Sequence, residues 1–378
     1  MRAKANVVAS DGLTSRSAPL VARNEIRIRS FCINTVPTCY RAFDVDFVVS
    51  IYRGFFLAMN TIPVRVAVAD TIAQDIRLLK LEANDGSSLP GWKPGSHIDL
   101  HLGHGITRQY SLCGPQGDRS AYQVAVKLEP QSRGGSKYVH ESLKVGSELR
   151  ISPPRNHFEM KADAGHTVLV AGGIGITPII SMARELAGKR QQFELLYFTR
   201  SEHHAAFREE IEGGPLGDSC KLLCGLERDD VEEALESALD DRYAGSHLYL
   251  CGPKPFMDTV RAVAARCGWP DEAVHLEYFA GAEPVGQGEQ TSFELKLARS
   301  GKTVTIPANK TIVDVLREEG VEVETSCEQG VCGTCVARVL DGTPEHHDCF
   351  LTSQEQARGD CMAVCISRSR SRLLVLDL

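Results

Sequence analysis

No apolar run in this sequence is long enough to cross a bilayer. The most apolar stretch, Phe47 to Met59, is broken by Arg53 and falls short of the roughly 20 residues a spanning helix needs. A basic surplus is also lacking. The formal net charge of −7 leaves nothing to neutralise phosphates and argues against a nucleic-acid binder. There is no internal repeat. Residues 1–58 carry several arginines and little periodicity, without the apolar core and small-residue cleavage site of a secretory leader. A strand-like pattern begins only at Ile62. We therefore expect Met59 to be the natural start and residues 1–60 to be a disordered extension or untranslated, with an organellar targeting peptide as the alternative.

Cysteine is what the chain has in plenty. Thirteen is an odd count, scattered without the spacing of a secreted framework. This points to a reducing, cytoplasmic setting in which some thiols serve a metal and the rest pack in cores. The 378 residues suffice for two or three domains, and fractions of 43% hydrophobic and 24% charged are those of a soluble globular protein.

Three regions follow the extension. Over 61–162, short alternating runs ("IPVRVAVA", "QDIRLLKLE", "HIDLHL", "TRQYSLC", "AYQVAVKLE", "ELRIS") predict about six strands of a small antiparallel barrel, with one short helix at "SKYVHESLK". Over 163–278, buried-type strands ("HTVLVA", "FELLYF", "CKLLC", "HLYLC") alternate with helices at "TPIISMARELAG", "HHAAFREEIE", "DVEEALESAL" and "PKPFMDTVRAVAARC". That alternation predicts a parallel sheet covered on both faces. Small polar residues over 279–291 read as a linker. Residues 292–378 predict a compact α+β unit from "SFELKLA", "TVTIP", a helix at "TIVDVLREEG" and a last strand near "RLLVLDL".

The last unit holds "CEQGVCGTC". Cys327, Cys332 and Cys335 follow C-x4-C-x2-C, and 29 residues separate Cys335 from Cys365. This is the plant-type spacing for a [2Fe–2S] cluster on four thiolates. Gly330 and Gly333 allow the tight wrapping that turns thiols and backbone N–H groups inward. A zinc knuckle shares C-x2-C, but the second such hairpin is missing. Cys361 and Cys349 remain alternatives to Cys365 as fourth ligand.

Two further pairs of motifs carry weaker signals. In "RQYS", Arg108 offers a phosphate fork, Tyr110 a plane for an isoalloxazine ring and Ser111 a hydroxyl for a ring nitrogen. "RGGS" at 133–136 adds consecutive backbone N–H groups and the Ser136 hydroxyl, an anion cradle. "AGGIGITP" at 171–178 ends the first parallel strand, and "CGPKPFM" at 251–257 ends a later one. Ligands of open α/β sheets bind at such strand ends, although neither motif is the G-x-G-x-x-G fingerprint.

In this order the motifs resemble the phthalate dioxygenase reductase family, in particular its vanillate O-demethylase members, over residues 61–378. The resemblance implies an FMN-binding barrel of the ferredoxin-reductase type, an NAD-binding α/β domain and a ferredoxin-like β-grasp domain. Arg108, Ser136 and the Gly134–Gly135 backbone would hold the FMN phosphate. Tyr110 and Ser111 would contact the ring, Ser111 near its N5. The same resemblance extends the flavin contacts to Gln109, Val126, Lys127 and Arg133. Gly172, Gly173, Thr177, Gly252 and Pro253 would receive NADH. Cys251 would lie near the nicotinamide in a shape-fitting role, and Ser111, Thr177 and Cys251 are the candidates nearest the chemistry. Phe279 would shield the flavin, with Tyr278 as the alternative. FMN is favoured over FAD because the cradle at "RGGS" ends the site and no place for an adenine is evident. Arg200 and Ser201 leave NADPH open.

The implied function is electron transfer from NADH to FMN to [2Fe–2S] to a Rieske-type non-haem iron oxygenase that acts on an aromatic acid, from a reductase that is itself monomeric. Flavin reconciles two-electron hydride with one-electron cluster chemistry. Glu318, Glu319, Glu322, Glu324 and Glu328 crowd the loop, either as a solvated helix end or as an acidic docking face. The rivals are a reductase for another acceptor, a general diaphorase, and a redox-sensing or cluster-carrying protein.

Overall fold

The computed structural model describes residues 61–378 except 104–105, 131, 133, 162–164, 215, 241–244 and 280–290. The expected extension and most of the expected linker therefore lie outside the described residues, as does Arg133.

The first region is a closed sheet. Its strands are β1 (Ile62–Ala73), β2 (Ile76–Ala83), β3 (Ser96–His101), β4 (Thr107–Ser111), β5 (Ala121–Lys127), β6 (Glu148–Ile151) and β7 (Arg155–Asn156). They run in the order β4-β3-β6-β1-β2-β5, with β7 beside β3, and every pairing is antiparallel. An antiparallel bridge from Leu112 to Val124 brings the two ends together and makes a barrel. Alternation places Val64, Val66, Leu79, Leu81, Ile98, Leu100 and Ile151 inside, all fully buried. The helix Gly135–Glu141 follows β5.

The second region is a parallel sheet of β8 (His166–Gly172), β9 (Phe193–Thr199), β10 (Cys220–Cys224), β11 (Ser246–Cys251) and β12 (Val274–Glu277), ordered β10-β9-β8-β11-β12. The helix Ile176–Gly188 packs on one face with Tyr197 and Tyr249, and Lys254–Arg266 on the other with Leu250 and Phe198. Two features differ from the sequence expectation. The strand β12 is additional, a four-residue edge against β11. The helix expected at 203–212 is split into a turn at Glu202–His204 and a helix at Arg208–Gly213, because Ala205 is extended and Phe207 left-handed at φ 59°.

The helix Ile176–Gly188 also grips the barrel. Ser181 Oγ accepts the Gly95 N–H at 3.3 Å, and the Ser181 carbonyl accepts from Gln116 Nε2 at 2.7 Å. Arg184 binds both oxygens of Glu210 and donates to the Cys113 carbonyl.

The third region pairs β13 (Phe293–Leu297), β14 (Thr303–Ile306), β15 (Val336–Asp341), β17 (Cys361–Ala363) and β19 (Leu373–Leu376) in the order β14-β13-β19-β15-β17. A separate ribbon joins β16 (Pro344–Glu345) to β18 (Arg368–Ser369). The helix Ile312–Glu318 starts at a Thr311/Asp314 capping box and lays Ile312, Val313, Val315 and Leu316 on the sheet, the β-grasp arrangement. Buried Arg368 closes this unit by donating to the carbonyls of Thr291, Pro307 and Lys310.

Candidate functional site

A cavity of about 660 Å³ opens where the three regions meet. Its barrel wall carries Arg108, Gln109, Tyr110, Ser111, Val126 and Lys127, together with Gly135 and Ser136. Its α/β wall carries Thr177, Glu277, Tyr278 and Phe279, and its third wall Cys327, Cys332, Cys349 and Phe350. Residues as far apart in sequence as Arg108 and Phe350, 242 positions, thus face one space. Gly134, Gly172, Gly173, Cys251, Gly252, Pro253, Cys335 and Cys365 are not among the lining residues.

On the barrel wall the glycine of the cradle has a steric reason. A Cβ on Gly135 would fall 2.6 Å from Arg108 Cγ, so only glycine lets that side chain pass. Gly134 is left-handed at φ 90°. Ser136 Oγ donates to Ser132 Oγ at 3.0 Å and accepts the Glu129 N–H at 3.1 Å. Burial pushes the Tyr110 phenol up to about 12, so it stays uncharged. His97 Nε2 and Gln109 Nε2 are buried without a hydrogen-bond partner among the described residues, and both residues line the cavity. Orphaned polar atoms on a large concave wall fit a polar aromatic ligand such as a flavin ring.

On the α/β wall two strand ends are pressed together. A Cβ on Gly175 would sit 2.2 Å from the Cys251 carbonyl oxygen, and one on Gly172 or Gly252 would strike the Phe256 ring. Gly172 and Gly252 are therefore packing residues at the strand ends, whereas Gly173 (φ 53°) faces open space. Thr177 is buried and donates to the Ile174 carbonyl at 3.1 Å. Cys251 is fully buried, and burial holds its thiol protonated well above the usual range.

Glu277 is the residue the sequence reading missed. It ends β12 opposite Cys251, and its Oε2 accepts from Ser111 Oγ at 3.5 Å. It keeps partial access to the cavity, but protein surrounds its carboxyl, and burial pushes it up to about 8. The signal available was its place one residue before the aromatic pair in "LEYF".

The thiol loop has its own geometry. All four predicted ligands are buried. They interact most strongly in two pairs, Cys327 with Cys332 and Cys335 with Cys365, a division that suits two thiolates on each iron of a two-iron cluster. Among the described residues no group of three or more His, Cys, Asp or Glu is arranged to hold a single metal ion. The Gln329 N–H donates to Cys327 Sγ at 3.3 Å, and the Cys332 thiol is pulled down by its bonds to Cys327 and Thr334. Gly330 and Gly333 are left-handed at φ 70° and 74°; added Cβ atoms would meet Ile366 at 2.7 Å and Phe350 at 2.2 Å. Cys361 instead pairs in β17 with Arg338, and the Cys349 N–H donates to the Gly330 carbonyl of the loop. The loop therefore fits a [2Fe–2S] cluster.

Of the five loop glutamates, Glu318, Glu319 and Glu328 are paired with Lys310, Lys302 and Arg317. Glu322 and Glu324 are exposed, without an ion pair among the described residues.

Comparison with known proteins matches three segments of the chain. Residues 63–160 match the oxidoreductase FAD-binding domain, 147–274 the N-terminal domain of the dimethylamine monooxygenase subunit DmmA-like group, and 295–370 the 2Fe-2S iron-sulfur cluster binding domain. Vanillate O-demethylase oxidoreductase of Pseudomonas sp. strain HR199 is 43% identical over 84% of this chain and 100% of its own length. The protein of that name from Pseudomonas putida is 46% identical over 81% and 96%. The solved structure of phthalate dioxygenase reductase superposes with a TM-score of 0.68 at 35% identity, covering 85% of this chain and 99% of that one. The chain belongs to the phthalate dioxygenase reductase family. It is an oxidoreductase that couples a flavin domain to a 2Fe–2S domain, as do the reductase components of oxygenase systems. Among the described residues no helix is long and apolar enough to cross a membrane.

Proposed function

We propose that this chain is the NADH-dependent, FMN-containing reductase of an oxygenase system, and that its electrons leave through a [2Fe–2S] cluster to a Rieske-type oxygenase acting on an aromatic acid such as vanillate. The single observation that carries this reading is the cavity shared by the flavin wall, the Thr177–Glu277 wall and the cysteine loop. A bound flavin takes electrons from hydride as a pair and releases them one at a time to a cluster.

The chain's own residues would do the rest. Arg108 and Ser136 would hold the flavin phosphate, and Tyr110 would lie against the ring. Ser111 would present its hydroxyl to the ring edge, oriented by Glu277. Because burial pushes the Glu277 carboxyl up to about 8, its neutral form is favoured at pH 7, which lessens the negative charge beside the place where hydride must arrive. Cys251 would fill space behind the nicotinamide as a neutral thiol, and Thr177 would border the nicotinamide's approach. Phe279, exposed at 39% on the cavity rim, would cover the flavin and exclude water. Cys327 and Cys332 as one pair, and Cys335 and Cys365 as the other, would hold the cluster.

FMN is preferred because "RGGS" offers a phosphate cradle, whose Gly135 and Ser136 line the cavity, and the sequence marks no place for an adenine. Heat-released flavin should co-elute with FMN, and kcat/KM should favour NADH over NADPH. With a vanillate-type oxygenase added, aromatic demethylation should depend on NADH and this chain. Release of FAD, or turnover only with NADPH, would correct the cofactor; reduction of artificial acceptors with no oxygenase turnover would reduce the function to that of a diaphorase.

A further inference from the structure

Going beyond which groups bind which cofactor, and resting on the relay just proposed, we infer that Asp99 is a latch: through Ser326 it holds the ligand loop on the flavin barrel and so sets the gap that electrons cross. Asp99 lies within β3 and is fixed there. Its N–H donates to Ser152 Oγ at 2.9 Å, and its carbonyl accepts the Ser152 N–H at 3.0 Å. In the β3–β4 register it stands opposite Gln109, between the two positions predicted to touch flavin, Arg108 and Tyr110.

The Asp99 side chain is 7% exposed and has two partners. Arg155 Nη2, from β7, donates to Oδ2 at 2.6 Å, and Ser326 Oγ donates to Oδ1 at 2.6 Å. Arg155 Nη2 also reaches Ser326 Oγ at 3.4 Å, closing a triangle. Ser326 is itself buried, and the next residue is Cys327. A carboxylate out of water needs its partners, so a short hydroxyl bond to it is strong and specific. That bond lands beside a ligand cysteine rather than on the sheet that carries the third region.

A second contact holds the loop from its other side. The His97 and His157 rings meet edge-on at 5.3 Å, and His157 meets Phe350 at 5.7 Å. Phe350 in turn fills the space that a side chain at Gly333 would need. The loop between Ser326 and Gly333 is thus pinned at both ends to the barrel, one end by charge and the other by ring packing. Asp99 and Ser326 are positioning residues: neither is a predicted ligand of flavin or cluster.

The test uses flavin- and cluster-loaded protein with Ser326→Ala, Asp99→Asn and the conservative Ser326→Thr. Stopped-flow absorbance separates flavin reduction by NADH from cluster reduction, and hydrogen exchange reads the amides of residues 325–332. For Ser326→Ala and Asp99→Asn we expect unchanged flavin reduction, an unchanged EPR signature of the chemically reduced cluster, faster loop exchange, and cluster reduction slowed about tenfold or more. Ser326→Thr should restore both altered readings, and the double variant should be no worse than either single one. If Ser326→Ala holds its cluster and shows parent exchange and parent cluster reduction, the latch is wrong. Slowing that only tracks lost cluster overturns it equally. Failure of the relay itself is distinguishable, because the parent cluster would then stay oxidised under NADH, and the latch would fall with it.

Discussion

Ser111 Oγ and Glu277 Oε2 stand 3.5 Å apart across the seam between barrel and parallel sheet. The contact joins a residue on the proposed flavin wall to one beside the proposed nicotinamide position. Ser111→Ala should slow flavin reduction by NADH on the order of tenfold or more while cluster content stays at the parent level, because an orienting group is lost and no ligand is. Stopped-flow at the flavin band, with iron and sulfide analysis, checks both halves.

Glu277 should also make stability depend on pH. Its carboxyl rises from 4.5 to about 8 on folding because it is buried. The folded chain therefore binds more protons between those values than the unfolded chain does. The resulting contribution is full below about 4.5 and is lost as pH rises through about 8. Glu277→Gln should flatten the fall in urea midpoint over that window. His97 acts with the opposite sign: burial, then the Arg155 charge, lowers it to about 4, so its contribution is present above 6.5 and is lost as pH falls through about 4.

The fourth ligand is open to direct replacement. Cys365→Ser should abolish the visible spectrum of the cluster, whereas Cys361→Ala and Cys349→Ala should keep it. Loss of the spectrum in Cys361→Ala with retention in Cys365→Ser would reverse the assignment.

Gly333→Ala tests the loop rather than its thiols. The added Cβ would lie 2.2 Å from Phe350 Cζ at a left-handed φ of 74°. Destabilisation on the order of 1–3 kcal/mol is expected, with reduced cluster occupancy. Adding Phe350→Leu should recover part of the loss that comes from the clash, leaving the backbone part.

Much of this was legible in the sequence because it rests on local pattern. Alternation from Ile62 onward reads as strands, C-x4-C-x2-C reads as a cluster loop, and "RQYS" reads as a phosphate and ring contact. The structure brings Arg108, Ser111, Thr177, Phe279 and Cys327 to one cavity. What was not legible depends on long-range placement. Glu277 lies on a four-residue edge strand with no periodicity of its own. Asp99 and Ser326 are 227 positions apart, and nothing in "HIDLHL" marks its aspartate as a partner of the cysteine loop. The strands β16 to β18 were missed because each has only two or three residues and is held by its neighbours rather than by an apolar pattern, and β15 was missed although Ala337 and Val339 alternate into the core. The glutamates near the loop look like a single acidic face in sequence, yet three of them are spoken for by lysine or arginine.

The central claim is that two-electron hydride chemistry is coupled within one chain to a one-electron cluster. Anaerobic titration of the purified protein with NADH, followed in the visible spectrum, tests it most directly. Both flavin and iron–sulfur bands should bleach, with uptake of about three electrons per chain, two on the flavin and one on the cluster. Bleaching of the flavin alone, with an intact and still oxidised cluster, would contradict the account.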